Sequence, residues 1–328
     1  MTLKAKLGLA ALAAGLAASA HAADYTMRLS HQFPPAHHSA KNMEQFAADV
    51  KANTGGRVEV QIFGAAQLYK PNQHHAAVAG GKIESAIVLS FQWGGTIPEM
   101  NVTIIPYFMS SVDKMRKFRG SQAQQLLDAK MAEKGVVNIA WFMDANDGIF
   151  TSAKAPLIRP EDFKGVKIRG LSKLWDEGLV AMGAQPSAMP GSEVYQALQT
   201  GVIDAGFTGV QAAHSRRFYE VQKFGVASNI ILAYDNLIVN PAWWEGLPAD
   251  IRKGILDAVA QAEARALPKN DDIPPEHLQQ LREKGMTVVE LNAAQKKVMA
   301  DAMQPAVIQA FSASSPDAPR LLELIRGL

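Results

Sequence analysis

Hydrophobic and polar positions along this chain switch repeatedly between a period of two and a period near 3.6, and the switches map a series of strands and helices. "TMRLS" (26–30) reads as a strand. "HSAKNMEQFAADVKANTGG" puts Ala40, Met43, Phe46, Ala47 and Val50 on one helical stripe, which Gly55 and Gly56 end. "RVEVQIF" (57–63) alternates cleanly through Val58, Val60 and Ile62. "SAIVLSF" (85–91) is continuously apolar, the pattern of a strand covered on both faces. A helix is expected over 113–135 through Met115, Phe118, Leu126 and Met131, then a strand over 136–142. Further on come a strand at 166–169, helices at 172–182 and 192–200, a strand at 202–207, a helix at 211–219 and a strand at 235–240. Helices at 248–267 and 275–284, the strand "MTVVEL" and a last helix from Asn292 complete the series. Asn292 and Gln295 have capping-box spacing.

Such alternation predicts an α/β fold with mostly parallel sheets covered by helices. The length, 328 residues, is enough for two lobes, with a crossing expected near 144–148. The first residues belong elsewhere. Lys4 and Lys6, the apolar run "LGLAALAAGLAAS" and "AHA" make a secretory signal, with cleavage expected after Ala22. No other stretch approaches the apolar length of a membrane span, so the chain is not expected to be membrane-spanning.

Charge and composition narrow the function by exclusion. Without Lys4 and Lys6 the chain carries 31 basic and 31 acidic residues, which gives no footprint for nucleic acid. There is no cysteine, which removes thiolate chemistry and cysteine-bound zinc. Neither glycine-rich nucleotide cradle is present, nor a G-x-S-x-G elbow, nor H-E-x-x-H. The pairs His37–His38 and His74–His75 are poor chelates by sequence, because neighbours on a helix point about 100° apart. No cofactor and no metal are expected.

"EDFKGVKIRGLSK" (161–173) holds the candidate that matters most. Val166 and Ile168 share one face of the strand, and Arg169 points from the other just before the chain turns at Gly170. Arginine at a strand's carboxyl end is either solvated or placed in a cleft to meet an anion.

The surrounding stretch resembles a known family. "RPEDFKGVKIR", "MGAQP", "MPGSEVYQALQTGVID" and "RFYEVQK" stand in order and with the spacing found in periplasmic solute-binding proteins of tripartite ATP-independent transporters, of the DctP type. Upstream, "TGGRVEVQIFGAAQL" and "PEMNVTIIPYFM" are similar to other segments of that family. The resemblance implies a two-lobed periplasmic binding protein, class II-like, with an inter-lobe cleft and a long helix packing across both lobes. On this plan residues 23–146 with about 235–274 form the first lobe, and 147–234 with about 275–328 the second. It implies that Arg169 holds the carboxylate of a small organic acid, and that membrane permease subunits are the partners.

Two departures shape the expected ligand. After "TGVID" the family usually reads G-Q-E-N, whereas Phe207 and Thr208 stand in this chain at the last two places. Many members also have an arginine where Gly148 or Ile149 sits here. A single arginine suits a monocarboxylate, aromatic or branched ones included. Phe91, Trp93, Trp175, Tyr69 and Tyr234 are the aromatic candidates for the pocket wall. Gln67, His31 and Asn236 are the polar ones. Competing readings are an enzyme of the lyase or isomerase type, which would need a general base that the sequence does not offer, and an extracytoplasmic input protein for a sensor.

Overall fold

The computed structural model describes residues 23–328, so the expected signal and its cleavage site lie outside the described residues. Two sheets make the frame. The chain lays down β1 (Tyr25–Ser30), β2 (Val58–Phe63), β3 (Ser85–Leu89) and β4 (Val137–Ala145), then changes sheets at Asn146–Asp147. The second sheet takes β5 (Gly148–Ser152), β6 (Lys167–Gly170), β7 (Gln185–Ala188), β8 (Ala205–Thr208) and β9 (Phe224–Ser228). The chain then returns to the first sheet as β10 (Ala233–Val239), and β11 (Thr287–Glu290) is added to the second. The strand orders are β2-β1-β3-β10-β4 and β11-β9-β5-β8-β6-β7.

Neither sheet is purely parallel. β10 is antiparallel to β3 and β4, and β5 is antiparallel to β8 and β9. Both are the strands that arrive directly from the other lobe. No helical crossover turns the chain round before them, so each enters its new sheet from the hinge side.

The polar and apolar pattern is honoured in the burial. β3 is buried along its whole length, as a strand covered on both faces should be. Helix His38–Asn53 buries Ala40, Met43, Phe46 and Val50 against the first sheet. The helix expected over 113–135 is two helices, Val112–Phe118 and Gln122–Glu133. Gly120 at φ +73° breaks the run, and the Ser121 hydroxyl accepts the Gln124 N–H to start the second helix. β5, β7 and β9 and the helix Ala318–Arg326 have no counterpart among the expected elements.

The 20-residue helix Ala293–Ser312 packs against helix Lys173–Ala181 of the second lobe and against residues 98–104 of the first. The expected capping box starts it: Asn292 Oδ1 accepts from the Gln295 N–H at 3.0 Å, and Gln295 Oε1 accepts from the Asn292 N–H at 2.9 Å. The chain end differs from the expected lobe plan. Helix Ala318–Arg326 buries Ala318, Leu321, Leu322 and Ile325 in the core that holds Met115, Leu127 and Met131, which is first-lobe core. No helix among the described residues is long and apolar enough to cross a membrane.

Candidate functional site

β6 ends against the first lobe, and Arg169 is only 2% exposed there, so it is not a solvated arginine. Two main-chain carbonyls fix its plane: Nε donates to Met189 O at 3.2 Å and an Nη1 proton to Phe207 O at 2.6 Å. The Phe91 ring lies 5.9 Å from its guanidinium carbon. No carboxylate comes within ion-pairing distance among the described residues. Burial, with Arg216 nearby, pulls the Arg169 pKa down to about 9.

Arg169 lines a small inter-lobe cavity of about 20 Å³. Of the sequence candidates, Phe91, Phe207 and Thr208 line it too, and so do three polar residues that sequence reasoning did not name: Gln32, Asp144 and Arg216. Arg216 follows helix Val210–Ser215. Its neighbour Arg217 takes a left-handed φ of 60° and points outward to pair with Glu220, which leaves Arg216 to point inward. Among the described residues its Nε is buried without a partner, and its one side-chain hydrogen bond is a 3.4 Å bond from Nη1 to Thr208 Oγ1. Gly191 makes room for it, since a Cβ there would lie 2.8 Å from the guanidinium carbon. Arg216 is half-buried, because its far edge opens on a second hollow beside Tyr195 and Ser215. The tandem "RR" was the only sequence signal, and it does not say which arginine turns inward.

An aromatic column backs the pocket. Trp175 stacks on Phe207 at 4.7 Å, Phe207 meets Phe150 at 4.7 Å, and Phe150 meets Phe163 edge-on at 4.9 Å. Trp175 therefore supports the wall without lining the cavity. The remaining candidates also stand away from it. The turn Ser90–Gly95 sends Phe91 to the cleft and Trp93 into the core beside His75. Tyr234 is wedged between Phe118 and Trp141, and Asn236 faces the same way, because on β10 it is Ala233 and Asp235 that face the cleft. His31 turns inward and accepts from the Phe33 N–H, while Gln32 beside it reaches the cavity. Tyr69 packs on first-lobe core and Gln67 is exposed.

Asp144 connects the arginine cavity with a larger hollow of about 520 Å³ between helix His38–Asn53, β4 and the Gly209–Ala212 segment. Asp144 Oδ1 accepts from the Ser39 hydroxyl at 2.8 Å, and its main-chain oxygen accepts from His38 Nε2 at 2.7 Å. Nearby, burial raises Asp147 to about 6, while burial and the adjacent Asp144 raise Asp235 well above the usual carboxylate range. His37, His38 and Asp144 bring ligand-type atoms within 4.8 Å of one another. They do not make a chelate. His37 Nδ1 accepts from the Ser39 N–H as a helix cap and so leaves the proton on Nε2, and His38 spends Nε2–H on a carbonyl. One imidazole lone pair remains, on His38 Nδ1.

The chain matches the model of the bacterial extracellular solute-binding protein family 7 over residues 29–314. It is 31% identical over 308 residues to a C4-dicarboxylate-binding periplasmic protein of Rhodobacter capsulatus, covering 92% of this chain and 91% of that one. Among solved structures, a TRAP periplasmic solute-binding protein from Sulfurospirillum deleyianum with bound succinate aligns with TM-score 0.84 at 27% identity, covering 93% of this chain and 99% of the other. A Bordetella pertussis extracytoplasmic solute receptor binding pyroglutamic acid aligns with TM-score 0.81 at 26% identity, covering 92% and 99%.

Proposed function

The chain belongs to the bacterial extracellular solute-binding proteins of family 7, and from that membership we propose that its cleft takes a small monocarboxylate onto Arg169 and delivers it to the permease subunits of a tripartite transporter. It is a two-lobed binding protein for small organic acids and not an enzyme. The proposed place of work is the periplasm.

The observation that carries the reading is the charge left over in the cavity. Arg169 and Arg216 bring two guanidiniums to the cavity wall and Asp144 one carboxyl group, while burial and the adjacent Asp144 raise Asp235, outside that wall, well above the usual carboxylate range. The cations in this wall outnumber the acid by one, and buried charge is stable only when paired. A single ligand carboxylate closes that balance; a second would add an anion beside Asp144. The absence of an arginine at 148 or 149 is therefore not the reason for a monocarboxylate, because Arg216 supplies a second cation from another element. Asp144 is the reason. Arg169 can present Nη2 and the rest of Nη1 as a fork, the geometry that fits a carboxylate bidentately. Thr208 and Phe207 of the second lobe and Phe91 of the first are the proposed contacts beside it. Closure then needs only that the acid touch both lobes better when they are shut.

The test is a thermal-shift screen of residues 23–328 against mono- and dicarboxylates, repeated with Arg169→Ala. Monocarboxylates should raise the melting temperature by linkage, and the alanine variant should lose the shift. Dicarboxylates alone raising it would overturn the charge argument.

A further inference from the structure

The cavity contains acceptors as well as cations, and an acceptor has no use for a bare carboxylate. Asp144 lines the same small cavity as Arg169 and Arg216, yet forms an ion pair with neither among the described residues. Its side chain is held in place through Oδ1 by the Ser39 hydroxyl, and its main chain by His38. Oδ2 has no hydrogen-bond partner among the described residues. Gln32, 3% exposed, also lines the cavity and has Oε1 buried without a partner. A carboxylate fixed beside an anion site repels the anion unless the ligand offers it a proton to accept. Ser39 and His38 prevent Asp144 from swinging away, so the repulsion is built in.

Resting on the monocarboxylate reading above, we propose that Asp144 selects for a neutral hydrogen-bond donor next to the ligand's carboxylate. The ligand class is then a 2-hydroxy acid or an acid with an amide N–H beside the carboxyl carbon. Arg169 and Asp144 line one small cavity, which places the donor close to the ligand's carboxylate. The ligand's acid group meets the guanidiniums while its O–H or N–H points at Asp144 Oδ2. Both bonds are charge-assisted. An ammonium in the same place would bring a positive charge that the two guanidiniums oppose, so plain amino acids rank below their hydroxy counterparts.

Matched pairs test this by calorimetry on residues 23–328: lactate against propionate, pyroglutamate against cyclopentanecarboxylate, and alanine as the ammonium arm. In at least one pair the donor-bearing member should bind ~30-fold or more tightly than its partner, since an unpaired buried acceptor is what the other leaves behind. Which pair responds tells hydroxyl from amide. Asp144→Asn turns an amide N–H into the cavity while Ser39 keeps the oxygen. That variant should lose the discrimination and gain affinity for malonate. Propionate and cyclopentanecarboxylate binding as well as their partners, in an Arg169-dependent way, would overturn the role of Asp144 and leave the carboxylate reading standing. Alanine binding tightest would overturn the neutral donor. If no acid in the set binds, both readings fall. The wild-type pairs decide even if the Asp144 variant does not fold.

Discussion

Replacing Arg169 by lysine keeps the charge and removes the geometry, so it separates a fork from a point charge. The arginine has five N–H groups and spends two on Met189 O and Phe207 O. Three remain for the ligand, in the plane those two carbonyls set. A lysine has three N–H groups in all. If one satisfies Phe207 O, the Met189 carbonyl loses the donor that Arg169 Nε supplies, at a cost of ~1–3 kcal/mol to the fold. The ligand then meets at most two donors that share a single nitrogen. Losing the second arm of a charge-assisted pair is worth about 2–3 kcal/mol, or roughly 30- to 150-fold in Kd. Titration calorimetry with the best acid from the screen reads the second effect, and a denaturant melt without ligand reads the first. Binding within about threefold of wild type would show that charge alone suffices and would refute the fork.

Two further outcomes depend on pH. Burial holds the Arg169 guanidinium at about 9, and a bound carboxylate favours its charged form; affinity should be level through pH 6–8 and fall about tenfold per unit above pH ~9, as read by calorimetry, whereas constant affinity to pH 10.5 would remove Arg169 from the contact. Asp176 caps the turn after β6 by accepting the Leu171 N–H at 3.0 Å, and burial lifts its carboxyl to about 7. The native state therefore holds this proton more tightly than the unfolded chain. The stability it contributes is complete below pH ~4 and lost as pH rises through ~7, so Asp176→Asn should gain on wild type in melts at pH 8 relative to pH 5. Equal pH slopes for the two proteins would contradict the shift. His31, pushed down to about 4 by burial, works in the opposite direction and is common to both proteins.

The elements were legible where a face is wide and regular, and the candidate site was legible at the one charged residue that ends a buried strand, Arg169. Helix His38–Asn53, β2 and β3 follow directly from their patterns. β5 and β9 were not seen, because "GIFTS" and "FGVAS" are short, contain glycine and are buried along most of their length, which leaves no alternation to read. Candidate ligand contacts went astray for a related reason. Alternation says that Tyr234 and Asn236 share a face and that Ala233 and Asp235 share the other, but not which face meets the cleft. The same one-residue ambiguity put His31 in place of Gln32. Arg169 escaped it, because a guanidinium on either buried face needs a partner.

The departures at 148 and 207 are one feature of the packing. A Cβ added at Gly148 would lie 2.6 Å from Phe207 Cζ and 2.7 Å from an Ile230 methyl, so the Phe207 ring already fills the volume that a side chain at 148 would need. β5 and β8 pair so that Phe150 stands opposite Phe207, and Trp175 closes the other side of that ring. The phenylalanine therefore cannot swing aside without opening the column that backs Arg169. With 148 restricted to glycine, a second cation has to enter from elsewhere, and the left-handed turn at Arg217 aims Arg216 at the gap over Gly191. It arrives beside Thr208, the residue after the carbonyl that anchors Arg169. Both guanidiniums are thus referenced to the last two residues of one strand. Their spacing is set by contacts within the second lobe. The first lobe contributes Asp144, Gln32 and Phe91. On the proposed reading, the second lobe supplies a pair of donors fixed on one strand end, and the first lobe supplies the acceptors and the ring that face them.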